Sequence, residues 1–233
     1  MRFLRWNSVL YGLLVVLLAV APAAGNGAKA VEAPTLEVNL DTSEAPDLKE
    51  WGEKAVELCR LWYPRIVRTL HSEGFTPPRA IYIRFEKACD NPAETSGERI
   101  VISPKWVRAH PEDFGMVIHE LTHVVQSYPG EGAGWLVEGI ADYVRFWQFE
   151  PDAPRPIIDP NRASYRDAYR TTAAFLAWTQ DRYDKQLVNR LNRDLRADTY
   201  ADAAFKTYTG RPLDDLWRKF TDHLRTARAS QAF

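Results

Sequence analysis

Two histidines stand four residues apart around a glutamate in His119-Glu120-Leu121-Thr122-His123. On a helix, residues four apart share one face about one turn apart, so both imidazoles can reach a single metal ion. That pairing suits Zn²⁺, which binds ring nitrogens at about 2.0–2.1 Å. Glu120 neighbours the first ligand and stays beside the metal without needing to bind it. From there its carboxylate can take a proton from a zinc-bound water, whose pKa the metal lowers to about 7. The bland alternative is a surface helix bearing two solvated histidines. The other three histidines, His71, His110 and His223, have no partner at ligand spacing and read as structural or solvated.

A catalytic zinc site needs a third protein ligand and one open position. In the longer pattern H-E-x-x-H-x-x-G-x-x-H, a glycine would fall at position 126 and a histidine at 129, where this chain has Gln126 and Pro129. The segment Trp135-Leu136-Val137-Glu138-Gly139-Ile140-Ala141-Asp142-Tyr143 offers another route. Glu138 and Asp142 are four apart and face one way on a second helix. Glu138 can be the carboxylate ligand. Asp142 can accept a hydrogen bond from the non-ligating nitrogen of His119, which fixes the ring tautomer and raises its basicity. Gly139 and Ala141 are small enough to let the two helices approach. The alternative is an acidic, solvated helix face. Hydrolysis of an amide also needs a donor for the developing oxyanion. Tyr169 is the candidate and Tyr165 the weaker one, although aromatics at this spacing are more often core.

The elements that must position these residues follow from periodicity. Leu36–Leu40 alternates apolar and polar residues as a strand does; 81–85 and 99–103 read as two more, with turn residues between them. A long helix is expected after Asp47, with Glu50 as capping-box partner and an apolar face from Leu48 to Leu70. The motif helix is expected from Pro111, with Val117, Ile118, Leu121 and Val124 in its stripe. Further helices are expected over 135–147, 164–182, 186–195 and 213–224, with the proline-rich 150s as loop. Strands first and helices after argue an α+β fold.

The chain's 233 residues suit one domain plus a processed segment. Charge is balanced at 30 basic against 31 acidic residues, which argues against a nucleic-acid partner. Residues 1–30 read as a signal peptide and linker. Arg2 and Arg5 precede an apolar run, 9–20, followed by small-residue sites that place cleavage after Ala23 or Ala30. The run is shorter than the roughly 20 residues of a membrane span, so no stable span is expected after cleavage. The mature domain is then 31–233, secreted or periplasmic. Three basic and no acidic residues lie in 1–30, so a chain starting at Val31 holds 27 against 31, a net charge of −4. Of its two cysteines, Cys59 lies on the first helix and Cys89 just past the second strand. In an oxidising compartment they are expected to form one disulfide.

His119-Glu120-Leu121-Thr122-His123-Val124-Val125-Gln126, followed by 136–143, resembles the basic secretory protein family of plants and bacteria, a group of gluzincin-type metallopeptidases. The resemblance extends to 41–48, 169–176 and 209–217, and so spans nearly the whole mature chain. It implies a zincin-like fold, with a small sheet packed on two motif helices and a helical C-terminal part forming the other wall of a cleft. It matches His119, His123 and Glu138 to the zinc ligands and Glu120 to the base. The mildly acidic mature chain departs from the family's "basic" label. The reading is a secreted zinc peptidase acting on peptide or protein substrates, with strand 99–103 at the cleft rim. A zinc-stabilised binding protein and a hydrolase of a non-peptide amide are the rivals. Glu120 speaks against the first, since a purely structural site needs no base.

Overall fold

The computed structural model describes residues 35–130 and 133–231. The segment read as signal peptide lies outside the described residues. Strand β1 (Glu37–Asp41) leads through a 3₁₀ turn (Pro46–Leu48) into helix α1 (Lys49–Thr69), and β2 (Ala80–Phe85) returns parallel to β1. β3 (Ala93–Ser96) and β4 (Arg99–Ile102) form a hairpin, and β4 pairs parallel with β2. The order is β1-β2-β4-β3, a mixed four-stranded sheet. The hairpin turns at Gly97, whose φ of 59° lies in the left-handed region that glycine enters without steric cost.

Among the described residues, eight α-helices complete this α+β fold. After α1 come α2 (Pro104–Ala109), α3 (Gly115–Gln126) and α4 (Gly134–Tyr143), the last continuing into a stretch of π-helix (Val144–Phe149). Then follow α5 (Tyr169–Arg182), α6 (Leu187–Arg196), α7 (Ala203–Thr209) and α8 (Leu213–Gln231). The sheet rests on α1 and α3, whereas α4 packs chiefly on α5, α3 and the π-helical stretch. α1 buries Trp51, Ala55, Cys59, Trp62 and Ile66 at helical spacing, and the Trp51 ring stacks on Phe114 with centroids 4.8 Å apart. Phe175 of α5 lies against Phe205, Trp217 and Phe220 of α7 and α8, an aromatic cluster that seats α5 beside the site. No described helix is long and apolar enough to cross a membrane.

Several expectations change. β4 is an interior strand, so 99–103 is not a free edge; the edge on that side of the sheet is β3. β3 escaped the sequence because its four residues, Ala-Glu-Thr-Ser, are largely polar and carry no apolar alternation. α2 and the short α7 were likewise not foreseen. α3 begins at Gly115, with Pro111 in the preceding turn, where its carbonyl accepts from Trp51 Nε1 at 2.8 Å. The segment 164–182 is broken. Ser164 caps a 3₁₀ turn (Tyr165–Asp167), and α5 starts only after Ala168. The disulfide is absent: Cys59 and Cys89 are both free. Cys59 is wholly buried on α1, and the Cys89 thiol donates to the Asn91 carbonyl at 3.2 Å within its own loop.

Candidate metal centre

α3 is buried on nearly every side, so its two histidines and Glu120 come to the site already fixed by packing. Val117, Ile118, Leu121, Val124 and Val125 are fully buried, and His119 and Glu120 keep only 8% and 7% exposure. Asp113 accepts from the Met116 amide at 3.3 Å, satisfying one of the free donors at the start of α3. Arg145 donates to the same carboxylate at 2.6 Å, tying the π-helical continuation of α4 to the head of α3. Gly139 serves α5 rather than α3: a Cβ there would overlap the Thr172 side chain. The close α4–α5 contact it permits brings Glu138 and Tyr169 into one cleft.

Three ligand atoms converge. His119 Nε2 lies 3.0 Å from His123 Nε2 and 3.1 Å from Glu138 Oε2, and His123 Nε2 lies 3.4 Å from that same oxygen. Tetrahedral zinc with bonds of about 2.0–2.1 Å holds its ligands roughly 3.3 Å apart, so the triangle fits such an ion. The other ring nitrogens are already committed. His119 Nδ1 donates to Asp142 Oδ1 at 2.7 Å, and His123 Nδ1 donates to Gln126 Oε1 at 2.7 Å. Gln126 Nε2 in turn donates to the Val137 carbonyl at 3.0 Å, which sets the amide with its oxygen toward His123. With both Nδ1 atoms committed, the two Nε2 atoms and a carboxylate oxygen face one point, which a metal ion could occupy in place of the proton that His119 otherwise shares with Glu138.

Charge at the site follows the same geometry. For His119, burial works against the charged ring, but hydrogen bonds to Asp142 and then Glu138 outweigh it and raise the metal-free imidazole to about 9. For Glu138, burial raises the carboxyl, while hydrogen bonds to His119 and His123 prevail and bring it down to about 2. The Glu138 carboxylate, and then partial burial, hold the Tyr169 hydroxyl above the ordinary phenol range. Tyr169 therefore stays a protonated donor at neutral pH.

The centre opens into a cleft of about 930 Å³ whose lining includes residues of β3 and of the start of α5. The Tyr169 ring lies nearly parallel to His119, centroids 6.1 Å apart, and is 55% exposed. Tyr165 points elsewhere: its hydroxyl donates to Asp214 at 3.0 Å and its ring packs on Trp135. The backbone turn at Ala168 separates the two tyrosines. Ala168 has φ 62° and ψ −169°, a region almost reserved for glycine, and Tyr169 has φ 46°. Backbone strain of this kind persists where surrounding structure over-determines it, often beside a site.

Glu120 is held on its outer oxygen by Thr95 of β3, whose hydroxyl lies 2.7 Å from Oε2. Two site residues thus escaped the sequence reading. Gln126 is one helical turn past His123, a spacing that could have suggested it. Thr95 is 25 residues from Glu120 and gave no local signal.

Residues 65–220 match the family described as peptidase of plants and bacteria. The chain belongs to that family. No curated protein and no solved structure matches it. Family membership accords with the resemblance carried by residues 119–126 and 136–143 and makes the chain a member of a peptidase family with a group that could hold a metal ion.

Proposed function

We propose that the protein is a zinc-dependent peptidase, with His119, His123 and Glu138 as ligands and Glu120 as general base. The observation that carries this is the triangle of ligand atoms 3.0–3.4 Å apart with a non-ligating carboxylate beside it. Zinc there supplies a Lewis acid that polarises the scissile carbonyl and acidifies water. Glu120 accepts the proton of the attacking water as its oxygen bonds to the carbonyl carbon. It then passes that proton to the amide nitrogen as the C–N bond breaks, leaving a carboxylate and an amine. Tyr169 donates to the oxyanion that forms between these steps. Asp142 and Gln126 hold the two imidazoles in the tautomer that leaves Nε2 free.

The substrate is an extended peptide lying along β3, the free edge of the sheet at the cleft. The polar 93–97 segment suits pairing by main-chain hydrogen bonds better than by apolar pockets. Secretion fits the apolar run and small-residue cleavage sites of the N-terminal segment.

Digestion of a peptide library by the mature chain, with and without a chelator, tests the reading. Cleavage that stops on chelation, returns with zinc and is absent in Glu120→Gln is the expected result. Chelator-insensitive cleavage, or a fully active Glu120→Gln, overturns it.

A further inference from the structure

We propose that Thr95, on the edge strand, is a positioning residue that orients Glu120 for proton transfer and ties that orientation to the strand along which substrate docks. This rests on the reading of Glu120 as general base. Thr95 Oγ1 lies 2.7 Å from Glu120 Oε2 and 3.2 Å from the Glu120 carbonyl oxygen. One hydroxyl carries one proton, and the shorter contact, to a carboxylate, is the stronger acceptor. Held on Oε2, the carboxylate has one free oxygen: Oε1 has no partner among the described residues. That is the oxygen left to take a proton. Once Glu120 is protonated on Oε1, Oε2 still accepts from Thr95, so the same bond serves both halves of the proton shuttle.

The strand register gives Thr95 its second connection. Ser103 N donates to the Pro92 carbonyl at 3.1 Å, and the register pairs Ala93 with Ile102, Glu94 with Val101 and Thr95 with Ile100. In an antiparallel pair, hydrogen-bonded and non-hydrogen-bonded positions alternate. Since 92 and 103 are bonded, Glu94 and Ser96 direct their backbone groups to β4, while Ala93 and Thr95 direct theirs to the open edge. Thr95 therefore offers main-chain N–H and C=O to an added strand while its side chain holds the base. A shift of β3 on substrate pairing moves the anchor of Glu120 directly. The bland reading is a threonine that merely satisfies its hydroxyl on the helix, in which case its loss would affect stability alone.

Three variants separate these readings: Thr95→Val and Thr95→Ala, which delete the hydroxyl with and without keeping volume, and Thr95→Ser, which retains it. Each is measured for zinc content, thermal midpoint, kcat and KM on one peptide that the parent cleaves, with Glu120→Gln as control. Both hydroxyl deletions should keep zinc and lower kcat roughly ten- to a hundredfold, with KM changed far less, as expected when a reacting group is misplaced. Thr95→Ser should stay within a few-fold of the parent. A parent-like kcat in either folded deletion variant, or a Thr95→Ser as slow as Thr95→Val, overturns the assignment. Should Thr95→Val fail to fold, Thr95→Ala and Thr95→Ser decide alone. An active Glu120→Gln would instead sink the base assignment on which this rests. An inactive Glu120→Gln beside a parent-like Thr95→Ala would sink only the role of Thr95.

Discussion

Asp142 on α4 accepts a hydrogen bond from His119 Nδ1 on α3 at 2.7 Å, with both residues more than nine-tenths buried. A carboxylate in that position is costly to bury unless fully engaged, so the bond belongs to the packing of the two helices as much as to the imidazole. It fixes the His119 tautomer and aims Nε2 at the point where His123 and Glu138 also aim. Gln126 does the same for His123, with a neutral amide in place of a carboxylate.

Asp142→Asn should therefore weaken zinc about 10–100-fold, and Gln126→Leu should weaken it less. Competition with a chelator of known affinity measures both. Equal losses would deny the distinction between charged and neutral support, and no loss in Asp142→Asn would deny the role of this contact.

Purified mature protein should carry close to one zinc per chain. Glu138→Gln should lower the affinity, since it exchanges the one anionic ligand for a neutral one. Elemental analysis checks the first, and an undiminished affinity in Glu138→Gln would remove that residue from the ligand set.

Zinc affinity should rise steeply with pH. In the metal-free protein His119 titrates at about 9, above the ordinary histidine value near 6.5, so at pH 7 its charged ring must lose a proton before it can bind metal. Affinity is expected to climb about tenfold per pH unit up to roughly pH 9 and then level off. The raised value also means that the His119 ion pairs stabilise the metal-free fold fully below about 6.5, and that this contribution is lost as pH rises through 9. A zinc affinity that does not change between pH 7 and 9 would contradict the ion-paired His119.

Tyr169→Phe should lower kcat about a hundredfold with zinc content unchanged, the usual size of a lost oxyanion donor. Its ring is 55% exposed, so the thermal midpoint should move little. Ala168→Gly, next to it, should raise that midpoint, because φ 62° with ψ −169° costs an alanine about 1–3 kcal/mol. A lower midpoint would show that the strain is not there.

Unreduced, denatured protein should titrate two thiols per chain, and native protein should react slowly. Burial pushes the Cys59 thiol up to about 12, and burial followed by the Glu94 carboxylate raises that of Cys89. Zero free thiols on denaturation would require a bridge that the fold does not make.

The motif residues were legible because helical periodicity is local: the spacing of His119 with His123, and of Glu138 with Asp142, survives in any helix. The same locality exposed the α+β order, the long first helix and the strands at 81 and 99. What the spacing could not carry was which surface each element meets. Whether the 99–102 strand sits at an edge depends on the 93–96 hairpin partner, whose polar residues leave no alternation to read. Glu120 meets Thr95 only because the hairpin folds over α3, and Tyr165 parts from Tyr169 only because the backbone turns at Ala168. Cys59 and Cys89 stay apart for a like reason, one turned into the core of α1 and the other closed into its own loop. The sequence by itself determined the candidate metal-binding set and the helices that bear it. The support around that set was decided by the tertiary structure, because contacts between residues far apart in the chain are set by how whole elements pack.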